Sequence, residues 1–122
     1  MEFTISDLID INRVLFSIQD RPNCFLKTAV ALQLNSLGYL SQPTLERYDT
    51  KWKDLLAQYG VQQSDDPNKY NVPENNKTAF EEAVNKLTAD TVEIAFEKIP
   101  MQEFANLQLS LKEAQILTKI AK

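Results

Sequence analysis

The chain contains no histidine, which removes the side chain that most often serves as a general base near neutral pH and most often ligates metals. Its single cysteine, Cys24, can form neither an internal disulfide nor a zinc site built from Cys and His. That pattern suits a reducing compartment. With only two glycines a glycine-built phosphate cradle is excluded, and no G-x-G-x-x-G, phosphate-binding loop, nucleophile elbow or EF-hand pattern occurs. A Ser or Thr nucleophile would have only Lys or a carboxylate to activate it. The expectation is a protein that is not an enzyme and that holds no metal or cofactor.

No apolar run approaches the roughly 20 residues that a membrane-spanning helix needs. The start, Met1-Glu2-Phe3-Thr4, lacks the basic region of a signal peptide. A cytoplasmic protein with no membrane partner is expected. A basic excess is also missing: 17 acidic against 13 basic residues leave a net charge of −4, so binding to phosphate backbones, and hence to nucleic acid, is disfavoured.

What is present is enough to fold. At 122 residues and 43% hydrophobic, the chain can bury a core without covalent staples, and a single domain over 1–122 is expected. The segment from Thr91 to Ile99 alternates apolar and polar residues inside a sequence otherwise written in helical period, so it reads as a strand. Residues 2–6, where Phe3 and Ile5 alternate, are its partner. Between them, Ser6 or Asp7 can cap a first helix with Leu8, Ile11, Leu15 and Ile18 on one face. A tight turn at Asp20-Arg21-Pro22-Asn23 leads to a second helix, 22–37, apolar around most of its circumference through Phe25, Leu26, Leu32, Leu34 and Leu37. Such a helix must be covered from several sides, and it is expected at the centre. Gly38 stops it and Ser41-Gln42-Pro43 is a loop.

A third helix from Ser41 or Thr44 to Tyr59 places Leu45, Tyr48, Trp52, Leu55 and Tyr59 on one face. The turn-rich stretch 61–73 is a possible hairpin. A fourth helix near Glu74 to Ala89 follows, with Phe80, Val84 and Leu87 inward. After the late strand and a helical turn at Met101 to Asn106, Ser110 and Glu113 form a capping pattern before a short terminal helix. The fold class is α+β and mainly helical: four to five helices, with a small sheet joining 2–6 to 91–99.

Candidate chemistry is sparse. Asp65, Asp66 and Asn68 gather oxygen ligands suited to a hard cation, but a solvated turn explains the same residues. Glu93 and Glu97 lie on one strand face, as two acid–base groups would, and equally as the wet side of a half-buried sheet does. Cys24, near a helix start, is read as buried and inert. Trp52 with Tyr48 and Tyr59 is a core face before it is a binding stripe. Tyr70, in the polar connection beside Asp65, Asp66 and Lys69, is expected to be exposed, and these four are the candidate protein-contact residues.

The order of these pieces carries a resemblance. A helix ending Leu55-Leu56-Ala57-Gln58-Tyr59-Gly60, a polar insert ending Lys69-Tyr70-Asn71-Val72, then Phe80-Glu81-Glu82 and Val92 to Ile99 leading to Leu107-Gln108-Leu109-Ser110 resemble small proteins of unknown function encoded by tailed bacteriophages and prophages. The resemblance implies the cytoplasm of an infected bacterium. It also implies a monomer or small oligomer that works by protein–protein contact. The expected partner is a host protein such as a defence factor, which it inhibits or by which it is sensed. The alternative is an accessory role in head or tail assembly.

Overall fold

The computed structural model describes residues 1–63, 65 and 69–122. Strand β1 (Glu2–Thr4) runs directly into helix α1 (Ile5–Ile18). The cap is Thr4, not the expected Ser6 or Asp7. Its hydroxyl accepts from the Asp7 N–H at 3.0 Å while the Asp7 carboxylate accepts from the Thr4 N–H at 3.2 Å, so two amides with no intrahelical partner are satisfied together. Asp7 belongs to the first turn because the strand already ends at Thr4.

Helix α2 (Thr28–Tyr59) replaces both the expected central helix 22–37 and the third helix. It cannot begin at Pro22 because Asn23 adopts φ 60°, the left-handed region that helices do not use. Nor does it stop at Gly38, or loop at Ser41-Gln42-Pro43. Pro43 deprives Tyr39 of its helical donor, but both residues lie on the exposed side, where water can bond the freed carbonyl. On the opposite side, buried Ser41 donates to the Leu37 carbonyl at 2.8 Å and accepts from Asn12 Nδ2 at 3.1 Å. Helix α1 therefore grips α2 near the place where it was expected to break.

The centre is also displaced. Helix α1 buries Ile5, Leu8, Ile11, Val14 and Ile18, whereas α2 buries the stripe Val30, Leu34, Leu37, Ser41 and Thr44. Phe25 and Leu32, expected inside, are 68% and 64% exposed. A second layer, α3 (Glu74–Thr88), packs on the far half of α2. Phe80 meets Trp52 edge to face at 6.4 Å and Tyr59 at 6.3 Å, so the aromatic stripe of α2 is a packing face. Between α2 and α3, β2 (Val61–Gln62) and β3 (Tyr70–Asn71) form the expected antiparallel hairpin.

Strand β4 (Thr91–Glu93) pairs antiparallel with β1 in the register Phe3↔Val92. The termini of the alternating pattern are thus joined, but the strands are shorter than 2–6 and 91–99. The ladder ends as β1 runs out, with a last pair of bonds from Ile94 N–H to the Met1 carbonyl at 3.0 Å and from the Met1 amino group to the Ile94 carbonyl at 2.9 Å. Alternating burial outlasts the pairing as far as Phe96: Ile94 is buried and Phe96 meets Phe3 edge to face at 6.3 Å, after which exposed Glu97 and Lys98 break the phase before buried Ile99. Ile99 then bridges Ala121 in parallel, after a 3-10 turn at Met101–Phe104 and helix α4 (Leu111–Leu117). The structure is mainly helical α+β with two small two-stranded sheets. Among the described residues, no helix is long and apolar enough to cross a membrane.

The two glycines make opposite predictions. A Cβ at Gly60 would lie 2.5 Å from the Leu56 carbonyl oxygen and 3.0 Å from Tyr70 Cβ, whereas one at Gly38 would meet only Asn12 Oδ1 at 3.5 Å. Gly60→Ala is expected to destabilise by about 1–3 kcal/mol through forced overpacking. Gly38→Ala, relieving an interior helical glycine, is expected to stabilise by about 0.5–1 kcal/mol. Urea unfolding at low micromolar concentration would measure both.

Candidate functional site

The second half of α1, the loop 19–27 and the first half of α2 enclose an open groove of about 860 Å³. Helices α1 and α2 touch along one stripe each, so α2 turns its remaining apolar positions outward. Phe16, Phe25 and Tyr39 stand at the edges of the groove, 75%, 68% and 73% exposed. Between them the floor is small, with Ala31 and Gly38 two turns apart on the same face of α2. None of the sixteen lining residues is Asp, Glu, Lys or Arg.

An ion pair holds the loop in place. The Arg21 guanidinium donates to Glu113 Oε1 at 3.0 Å and Oε2 at 2.9 Å, to the Gln108 carbonyl at 2.6 Å and to Ser17 Oγ at 2.8 Å. The two-pronged geometry is the strong form of this pair. Glu113 is also the acid of the α4 capping box, accepting from the Ser110 N–H at 2.9 Å. One carboxylate thus ties the loop wall of the groove to the start of α4. Hydrogen bonds from Arg21, then from the Ser110 N–H, hold its pKa well below the ordinary 4.5, at about 2. Partial burial pushes the Asp7 carboxyl up, but bonds from Lys119 and the Thr4 N–H outweigh it and the pKa lies below its ordinary value.

The contact residues expected from sequence do not form this site. Asp65 and Lys69 are exposed, and Asp66 lies outside the described residues. Tyr70 is half-buried in β3 against Gly60 rather than exposed in a loop, because the register Gln62↔Tyr70 turns it onto the end of α2. Glu93 faces solvent and pairs with the amino terminus at 2.6 Å, and Glu97 is exposed with its carbonyl accepting from Gln33. Cys24 is half-buried, lining the groove, not fully enclosed as expected. Among the described residues, no three of the acidic or cysteine side chains come together as metal ligands.

Sequence reasoning did not single out Phe16 or Tyr39, and it placed Phe25 inside. The available signal was phase. Phe16 follows Leu15 and Tyr39 follows Leu37 off the 3–4 stripes that each helix buries, so both are large apolar residues with no position in the core pattern. The chain matches no family model, no curated protein and no solved structure.

The Glu113 latch has a definite pH signature. Its folded pKa of about 2 lies below the ordinary 4.5, so the unfolded chain binds more protons between those values and stability falls as pH drops through that window. Glu113→Gln should be less stable than the parent at pH 7, show a shallower acid decline, and converge with it near pH 2. Urea midpoints recorded from pH 7 downward would reveal parallel curves if the latch contributes nothing.

Proposed function

We propose that this chain acts through protein–protein contact, not catalysis, and that the groove between α1 and α2 is its contact surface. The observation that carries the reading is the exposure of Phe16, Phe25 and Tyr39 around one uncharged depression. Large rings left in water around a single concavity mark interaction sites more often than scattered apolar residues do. Aromatic anchors seated in pockets dominate interface energetics.

The resemblance to small tailed-phage proteins supplies the setting, the cytoplasm of an infected bacterium. There the first partner class is a host protein such as a defence factor, bound so as to inhibit it or be sensed by it. An accessory role in head or tail assembly is the alternative.

Affinity capture from phage-infected cells with the parent chain and with Phe16→Asp/Phe25→Asp tests this. The parent should enrich a host protein, and the double variant, with unchanged far-UV circular dichroism, should lose at least about tenfold in affinity for it. Recovery of virion structural proteins alone would favour the assembly role. Equal capture by both chains would remove the groove from the account.

A further inference from the structure

We propose that the middle of the chain, Glu46 to Ala89, is a flap that opens as one unit while the two ends of the chain stay folded on each other. Burial marks the boundary. Among the described residues, every fully buried side chain lies between Phe3 and Thr44 or between Ile94 and Ala121. From Glu46 to Ala89 no described residue is fully buried. The half-buried apolar side chains packed on the core include Leu45 and Val92 but none between them. The flap instead has a seam of its own, where Phe80 of α3 lies against Trp52 and Tyr59 of α2, all three only half-buried.

Polar bonds divide the chain at the same places. Arg21 binds Glu113 and the Gln108 carbonyl, Lys27 pairs with Glu103 at 3.2 Å, Gln33 Nε2 donates to the Glu97 carbonyl at 2.7 Å, and Lys119 pairs with Asp7. Each of these joins the segment before Leu45 to the segment after Asp90, and none spans the flap. Within the flap, Asn76 Nδ2 donates to the Tyr59 carbonyl at 3.1 Å and Gln63 Nε2 to Asn71 Oδ1 at 2.9 Å, so its bonds tie α3 and the hairpin to the end of α2. Helix α3 also touches α1, by a smaller contact than it makes with α2.

A segment opens at the cost of the contacts it breaks, so units with few buried apolar contacts open before the rest. The two joints are suited to parting. Just before the flap, Pro43 already leaves the Tyr39 carbonyl without its helical donor. Just after it, the Asp90 carbonyl accepts from the Ile5 N–H at 2.9 Å, which fastens the chain to the sheet and not to α3. The groove is lined from Asn12 to Leu45 and by Leu107, so it stays formed when the flap opens. Opening uncovers the ring faces of Trp52, Tyr59 and Phe80 and leaves the groove between α1 and α2 intact.

Native-state hydrogen exchange of the full chain, read by NMR in rising sub-denaturing urea, tests this. The amides of Trp52 and Val84 should exchange at least about tenfold faster than those of Leu8 and Val14. Their urea dependence should be shallower, because opening the flap exposes less surface than unfolding the whole chain. Ile11→Val, a conservative loss of one buried methyl, should speed exchange at Leu8 and Val14 by about 2- to 10-fold. It should leave Trp52 and Val84 unchanged, because the core around Ile11 is the same with the flap open or closed. Phe80→Ala should speed both groups by the same factor, because it weakens the closed state against either opening. A single urea slope for all four amides overturns the proposal, as does Ile11→Val speeding Trp52 and Val84 as much as Val14; either result makes the chain one cooperative unit. A flap better protected than α1 overturns it too.

Discussion

The fold depends on covering the apolar stripe of α1 formed by Ile5, Leu8, Ile11, Val14 and Ile18. Five of its fourteen residues are buried, and its cover comes from β1 at one end, from α2, from α4 near the far terminus and, by a smaller contact, from α3. A chain of 122 residues has apolar surface enough to cover one stripe in this way, because a small domain leaves much of its surface in water. Covering α1 uses Ile94, Ile99, Phe104, Leu117 and Ile120. Little remains to cover α2, which is held by one stripe to α1 and by α3 at its other end. The groove is the direct result: the outward positions of α2 are apolar because the sequence is, and open because the covering segments are engaged elsewhere.

Features set by neighbouring residues were legible. The alternation at Thr91 to Ile99 and at Phe3 announced the pairing that joins the ends of the chain, and the register Phe3↔Val92 places both inward. Ser110 and Glu113 formed their capping box as read, with mutual bonds of 2.9 and 3.2 Å. Helix α3 began and ended close to its expected limits because Pro73 and Asp90 bound it locally. The course of α2 was not legible. Whether Gly38 and Pro43 break a helix depends on what grips it, and the bond from Asn12 to Ser41 joins residues 29 apart. Propensity is a weak prior when tertiary contacts oppose it.

The candidate site was hidden for a related reason. A helix over 22–37 that is apolar around most of its circumference reads as one covered from several sides, but the same composition describes a helix covered on one side with a sticky surface on the other. Periodicity cannot separate the two, since both lack a polar face. Only the count of covering segments can, and that count is a property of topology. Tyr70 failed in the opposite direction. A polar setting in sequence suggests exposure, whereas pairing with Gln62 sets the Tyr70 Cβ close against Gly60.

Local costs are not spread evenly over the chain. Gly38 and Pro43 both lower the intrinsic stability of α2, by about 1 kcal/mol and about 3 kcal/mol on host-guest scales, and Asn23 holds a left-handed conformation at φ 60°. Two of these stand on α2 beside the groove and the third in its loop wall. The remainder of the fold follows its local preferences: α1 and α4 close capping boxes, α3 carries Glu74 in its first turn and Lys86 in its last, and no buried side-chain polar atom among the described residues lacks a partner. Sequences tend to break local rules where function constrains them. The Arg21–Glu113 latch belongs to the same pattern, since it spends a two-pronged ion pair on fixing a loop that buries little. That loop supplies Gln19, Cys24, Phe25 and Leu26 to one wall of the groove.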